Sequence, residues 1–600
     1  MGKSSNFYIK VSGEASAPVI PVNKWVRPSD WIEIDTVADN AINLLVINNG
    51  PTVPISFNVE VADSGTYDVD WGDGVVETIQ SNIPATHVYT ANAGVNCSQG
   101  YKTIKIQIKN STSNIINFAN ISTPILSVSF GTRFIENYTT LSSTTLKEVK
   151  FSSFEANSTI VNQVLLNCNN VSKITLPASW GTVADLTAFC SSLKSLDSII
   201  LPVSWGDVTL IDSMFYDCSA LKIVQLPTSW SNITSAINLF SGCSSLIKVN
   251  LPENWLNITT TESMFNGCSS IASLKLPTSW GLINSTTSMF GGCSAFTTLV
   301  LPNFWGNITT TEYMFYGCIG INYIELPTSW GLINSTSGMF NGCKSLININ
   351  CGTSWGNVSN VFQMFSNCWG LIKVILPTSW GVNMSSLNSM FSECHSLTSI
   401  VLPTSWGSIT SITSMFDGCW YLISIILPTS WDLINDTSRA FQSCVNLRQI
   451  TLPENFGNIQ YSNSMFLFCP NLIEIVNFDK LGSLTNQSDL SYVLDYASVN
   501  LSQNISLNSL LNAVGIYGVA GKITKISSIR LTNLSSTFSG TSPQINVSYC
   551  SLNRQALIDL FNDLPTLTSK NIKITGCVGA AYLTAADILI ASSKGWTVLN

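Results

Sequence analysis

The chain has 600 residues, of which 45% are hydrophobic and only 10% charged, with a net charge of −8; ordinary globular domains carry about a quarter charged residues. Without concentrated Lys and Arg it has no footprint for nucleic acid or an anionic membrane surface. No apolar run approaches the ~18 residues of a membrane-spanning helix, so the surface must be neutral and rich in Ser, Thr and Asn.

Residues 1–45 open with MGKSSNFYIKVSG, where Lys10 occupies the place an export signal needs for its apolar segment. The expectation is a protein without a Sec-type leader. In NKWVRPSDWIEIDTV, Trp25, Pro28, Trp31 and Ile34 predict an extended attachment arm with no core of its own, or else an edge strand of the next domain. Residues 46–112 turn to strand alternation. In TYDVDWGDG, Tyr67, Val69 and Trp71 fall on one face and Asp68 and Asp70 on the other, the pattern of a half-buried strand. Gly72-Asp73-Gly74 supplies a tight turn. Asp68, Asp70 and Asp73 could hold calcium, although a turn and a solvated face account for them more simply.

WGDG, then His87-x-Tyr89, then a strand from Tyr101 to Ile108 resembles the PKD-type immunoglobulin-like domain, which implies a β-sandwich. The insertion ANAGVNCSQGY is longer than the common form and leaves that loop's geometry open.

From residue 113 to 477 the chain repeats itself. Ile125, Val128 and Phe130, then Leu146, Val149 and Phe151, then Val171, Ile174 and Leu176 share LxxLxL spacing. A unit then returns every 25 residues, marked by Trp205, Trp230, Trp255, Trp280, Trp305, Trp330, Trp355, Trp380, Trp406 and Trp431, with one interval of 26 after Trp380. A second column keeps the same beat through Phe215, Phe240 and Phe265 to Phe466, each followed three residues later by a cysteine, from Cys218, Cys243 and Cys268 to Cys469. Such a period predicts a leucine-rich solenoid, mainly β with short helices, because one unit cannot bury its apolar face alone. The unit before Trp205 carries Cys190 and Leu193 at the Phe and Cys places, with Phe189 shifted by one, which predicts an irregular coil.

Within the unit Leu221 to Pro227, Leu221, Val224 and Leu226 point inward, and Pro227 removes a donor and ends the strand. The Trp, Phe and Cys columns form a structural ladder; the alternative for the Trp column is a row of sugar-stacking platforms. The cysteines read as small buried hydrophobes rather than disulfides or zinc ligands, since zinc recruits paired ligands and usually His, and the chain has only His87 and His395. Free thiols suit assembly in a reducing cytoplasm. Two outward columns on the strands vary between units. Tyr323 stands in the first, and Ile375, Val401 and Ile426 are consecutive in the second; these four are the candidate contact surface, with drift on an idle surface as the alternative. The sequons at Asn232, Asn257, Asn284, Asn307 and Asn334 read as loop residues forming an amide ladder. No enzyme, metal or cofactor is expected, because no GxSxG, HExxH, phosphate loop or CxxC pair occurs. Asp207, Asp212 and Asp217 are the carboxylate group that motifs alone do not exclude.

Beyond residue 477 the beat fails. Residues 478–520 are an irregular segment in which LNSLLNAVG predicts a short helix. Residues 521–600 form C-terminal repeats and a cap, with Ile526, Ile529 and Leu531, then Ile545, Val547 and Tyr549, then a helix placing Leu557, Leu560 and Phe561 on one face. The unit LPxSWxNIT…MFxxCxxLxxLxLP, with the closing LIDLFNDLP, NIKITG and KGWTV, resembles the BspA-like leucine-rich repeat of bacterial surface proteins, although LP stands where typical members have Leu-Asp-Leu. The order of arm, WGDG domain, long array and KGWTV end is similar to virion structural proteins of tailed bacteriophages. That resemblance implies a tail fibre, tail appendage or head fibre, assembled in the host cytoplasm and located on the virion. Its partners would be other virion proteins, through the amino-terminal region, and a host-surface glycan or protein; a homo-oligomer is left open. A purely architectural decoration or connector and a bacterial cell-surface adhesin are the alternatives, since such arrays serve adhesion, recognition and assembly alike.

Overall fold

The computed structural model describes residues 27–38, 41–48, 54–61, 65–110, 115–119, 125–131, 144–152, 154, 165, 168–477, 514–515, 545–548 and 552–600, excepting 204, 279, 303–304, 328–329, 379–382, 405, 457–458, 565 and 568. Its strands begin with β1 (Ala41–Asn48), β2 (Ile55–Val61), β3 (Thr66–Asp70), β4 (Val76–Gln80), β5 (Ala85–His87), β6 (Val95–Asn96), β7 (Lys102–Lys109) and β8 (Ile115–Ala119). Two sheets face each other, β1-β7-β3-β4 with β6 on β7, and β5-β2-β8. Alternation drives the packing: Tyr67, Val69 and Trp71 are buried with Phe57, Val59 and the β7 isoleucines, while Asp68 and Asp70 face out. Asp70 and Asp73 accept turn N–H groups from Gly72 and Val75, and Asp73 also meets His87 at 2.8 Å. The insertion before the last strand folds into a hairpin, with β6 paired to β7.

β1 is buried on both faces. One side joins the sandwich core, and on the other Leu45 packs with Leu126 against Trp31 and Ile34, which is where the segment after residue 27 finds its apolar partner. The boundary drawn at residue 45 therefore falls inside a central strand, and the segment outside it ends before Ala41. Trp25 lies outside the described residues.

The same sheet continues into the array. β9 (Ile125–Phe130) pairs antiparallel with β1, and β10 (Glu148–Phe151) and β11 (Lys173–Thr175) follow in parallel. The sandwich thus covers the open edge of the first coil, which an uncapped solenoid would expose. Glu148 lies buried at this junction, held by Arg27 at 2.7 Å and by Lys173.

From there the chain winds a β-solenoid of about 14 turns. β12 (Ser198–Ile200), β13 (Ile223–Gln225) and β14 (Lys248–Asn250) pair in parallel at a register of one unit, Ile199 on Val224 on Val249, and later coils repeat this from Asn348–Asn350 to Lys373–Ile375. A second side carries single parallel bridges, Asp185 to Leu210 to Ser235 to Thr260 and onward. The MFxxC turns close the third. There Ser213, Phe215 and Asp217 donate their N–H groups to Ile237, Leu239 and Ser241 of the next coil, while Met214, Tyr216 and Cys218 donate back within their own turn. Consecutive backbone N–H groups from Ser213 to Cys218 are thereby all paired. The alternation requires left-handed backbone at two positions per coil, such as Ser213 and Asp217, and the second is filled by Gly242, Gly267, Gly292, Gly317 and Gly342 in the next five coils, where no Cβ resists it.

The coil before Trp205 corrects an expectation. Its backbone is regular: Ala188 has φ 54° where Ser213 has 56°, and Cys190 O accepts the Cys218 thiol as the Phe carbonyls of later coils do. Phe189 takes the place of Met214 and Cys190 that of Phe215, so side chains are exchanged on an unchanged trace. The displaced ring packs on Phe151, Phe154 and Trp180, the aromatic cluster from which the array begins.

At the carboxyl end Val514–Gly515, Ile545–Asn546, Lys570–Lys573 and Trp596–Leu599 form a parallel sheet. Two α-helices occur among the described residues, α1 (Arg554–Asp563) and α2 (Ala585–Ser592). α1 starts at an Asn553 cap and buries Leu557, Leu560 and Phe561, and Arg554 ties it to Asp587 of α2. Of LNSLLNAVG only Val514 and Gly515 are described, and they are strand; Ile526, Ile529, Leu531 and Tyr549 lie outside the described residues.

Candidate recognition surface

The interior settles which columns are free to bind anything. Phe215 to Phe466 stack in one unbroken file of eleven rings, with centroids 5.4–5.9 Å apart and planes within 15°. Each cysteine of the MFxxC column from Cys218 to Cys469 donates its S–H to a carbonyl one coil back, Cys243 to Phe215 O at 3.0 Å and Cys268 to Phe240 O at 3.1 Å. Burial pushes these thiols up, Cys218 and Cys318 to about 12, so the proton that makes the bond stays in place. The cysteines are therefore donors as well as apolar filling, a role their spacing does not reveal.

Trp205, Trp230, Trp255, Trp280, Trp305, Trp330, Trp355, Trp406 and Trp431 are all buried, and ring contacts join Trp205 to Trp230 to Trp255 and Trp280 to Trp305. A sugar cannot reach these faces, which removes the platform reading of that column; Trp380 lies outside the described residues. The sequons fall in two different files. Asn232 and Asn307 donate their side-chain amides to Gly206 O and Gly281 O, and Asn257 to Ser231 O, whereas the carbonyls of Asn284 and Asn334 accept hydroxyls from Thr309 and Ser359.

The carboxylates Asp207, Asp212 and Asp217 do not converge on a common task. Asp212 accepts from Ser235 Oγ and Ile237 N of the next coil, and Asp217 pairs with Lys194 at 3.1 Å. Among the described residues no group of three or more His, Cys, Asp and Glu side chains could hold a metal, and no helix is long and apolar enough to cross a membrane.

The strand surface is where apolar side chains remain exposed. Ile375, Val401 and Ile426 are 47%, 79% and 79% exposed. Val401 bridges Ile426 in the next coil, and Ile375 and Val401 line one groove of about 430 Å³ with Lys373, Pro377 and Pro403. These three form one patch. Tyr323, also exposed, lines a different groove with Val300, Glu325 and Pro327, so the structure does not bring it to them. Ile347, Ile372 and Ile423, in a separate outward column, are exposed as well.

A third varying column lies one residue after the cysteine and escaped the reading of the strands. It runs Ser219, Ser244, Ser269 and Ser294, then Ile319, and then Lys344, Trp369, His395 and Trp420; the loss of the small residue was the signal that could have found it. Trp369 and Trp420 are more than 40% exposed.

In comparisons with known proteins, the model of the BspA type leucine-rich repeat region matches in six copies over residues 185–311, 259–389 and 363–488. Neither curated proteins nor solved structures yield a match. An array of this type is a repeat-based scaffold for adhesion or recognition, typically without enzymatic activity. Stacked file on file, and matched from residue 185 to residue 488, the chain belongs to the BspA-type leucine-rich repeat family.

Proposed function

We propose that the chain is a non-enzymatic structural protein of a tailed-phage virion, of the tail-fibre, tail-appendage or head-fibre kind, that presents its solenoid for recognition of a host surface. The observation that carries the reading is the apolar strand surface at Ile375, Val401 and Ile426, exposed in an array whose own ladders are complete without it. Exposed apolar patches on otherwise polar proteins mark interaction sites. The order of arm, sandwich and array supports attachment to other virion proteins at the amino-terminal end, and the file of protonated thiols suits assembly in a reducing host cytoplasm.

The test is binding of the fluorescently labelled full chain to intact cells of the bacterium its parent particle infects. Saturable coating, lost in an Ile375→Asp, Val401→Asp, Ile426→Asp variant that keeps its circular dichroism, is the expected outcome. No coating, together with normal adsorption of particles lacking the protein, would overturn recognition in favour of a purely architectural role.

A further inference from the structure

Over four adjacent coils the copied unit departs from itself at neighbouring positions. The place before the cysteine is glycine from Gly242 to Gly342, at φ 67–80°. Asn367 and Glu393 then hold it at φ 58° and 59°, on the same left-handed trace that Asp217, Ser443 and Phe468 keep elsewhere in the array. Over the same coils the place after the cysteine becomes Lys344, Trp369, His395 and Trp420, and these side chains stack. Lys344 Nζ sits 3.8 Å from the Trp369 ring centroid. His395 lies between the two indoles, with centroids 5.4 Å from Trp369 and 3.9 Å from Trp420, and its Nε2 is 2.7 Å from Glu393 Oε2. Glycine returns at Gly418 and makes room for that carboxylate: a Cβ there would stand 2.7 Å from Glu393 Oε1. Tyr421, next in sequence to Trp420, donates its N–H to His395 O at 3.1 Å and is 57% exposed. Asp417 lies close enough to Glu393 that burial and Glu393's charge together raise its carboxyl to about 6.

A glycine that admits the Glu393 carboxylate and an imidazole clamped between two indoles are the marks of a surface held in one arrangement before anything binds. The composition selects the ligand. The centre of a protein–protein interface is depleted of charge, whereas here Lys344, Glu393, His395 and Asp417 alternate with three aromatic rings. A polyhydroxylated ring fits both halves: its C–H face lies against Tyr421 and the indole margins, while its hydroxyls donate to the carboxylates and accept from the Lys344 ammonium. We propose that the coils from Lys344 to Tyr421 carry a glycan-binding site, with Trp369, Trp420 and Tyr421 as its walls and Glu393, oriented by His395, as its main acceptor. The inference rests on the recognition reading above and names its ligand class; it places the site on the turn edge next to the apolar strand surface.

The probes are polyacrylamide conjugates of glucose, galactose, rhamnose, N-acetylglucosamine and N-acetylgalactosamine, immobilised and exposed to the full chain, with intrinsic tryptophan fluorescence as a second readout. The expected result is retention on at least one conjugate with a change in tryptophan emission. Tyr421→Ala and Glu393→Gln should each weaken retention at least tenfold, and the distant Val203→Ser should leave it unchanged; circular dichroism confirms that each variant folds. Retention indifferent to Tyr421→Ala and Glu393→Gln would overturn the site. Coating of host cells without retention on any conjugate would overturn the glycan inference and leave recognition standing, and failure to bind either would overturn both.

Discussion

Truncating one ring in the middle of the phenylalanine file measures how much a coil depends on its neighbours. Phe340 is fully buried and stacks on Phe315 at 5.4 Å and on Phe365 at 5.6 Å. Phe→Ala in a core costs about 3–5 kcal/mol, and two lost stacks add roughly 0.5–1.5 kcal/mol each, so Phe340→Ala should cost about 4–8 kcal/mol. In a solenoid that loss falls on nearest-neighbour coupling, and the array should weaken where it was cut. The assay is denaturant unfolding of the full chain together with hydrogen exchange resolved by coil. Coils from Phe315 to Phe365 are expected to exchange first, with those near Phe215 and Phe466 nearly unchanged. Phe340→Leu keeps most of the volume without the ring and should recover about half of the loss. A cost below about 1 kcal/mol, or protection lost evenly along the chain, would refute the reasoning.

Asp417 gives a pH signature. Burial first, and the charge of Glu393 second, raise its carboxyl to about 6 in the folded chain. Between about pH 4 and 6 the folded state holds a proton that the unfolded state has released, so its ionised form destabilises above that window. Asp417→Asn should therefore gain on the order of 1–2 kcal/mol at pH 7.5 after allowance for solvent screening, and nothing at pH 4; equal thermal shifts at both would contradict this. Glu148→Gln strips the buried partner of Arg27 and Lys173, and should cost about 3 kcal/mol and expose the segment after residue 27 to limited proteolysis before the array is cut. Cys343→Ala removes one of two donors to Phe315 O, since Cys318 N remains, and should cost about 1–2 kcal/mol in denaturant unfolding. Cys343→Ser, which keeps a donor, should bond that carbonyl through its hydroxyl in a variant structure.

How much of this was legible depends on what a period can encode. The Trp, Phe and Cys columns mark the interior because each coil must fill the same space, and the parallel register at 25 residues follows. The thiol bonds were hidden, because spacing shows that Cys243 returns to the core but not that a carbonyl of the previous coil waits there. The shared sheet between β1 and β9 was equally hidden: antiparallel pairing between Leu44 and Val128 leaves no local mark in either strand. Phe189 misled because a ring out of column looks like a disturbed backbone, when the backbone tolerated the exchange. The strand surface was legible at Ile375, Val401 and Ile426, since variation in a copied unit points outward. The Trp369 to Trp420 stack was legible in principle, one column away, but that Glu393 and His395 belong to it follows only from their contacts in the fold.

The central claim is that the coils are zipped internally by files of rings and protonated thiols, and thiol accessibility tests it most directly. The chain has 17 cysteines, and among the described ones only Cys97 is not buried; Cys550 lies outside the described residues. Titration of the native chain with an aromatic disulfide reagent should modify no cysteine of the column from Cys218 to Cys469, and all 17 should react once it is denatured. Rapid native labelling of that column, or fewer than 17 reactive thiols in denaturant, would contradict the account.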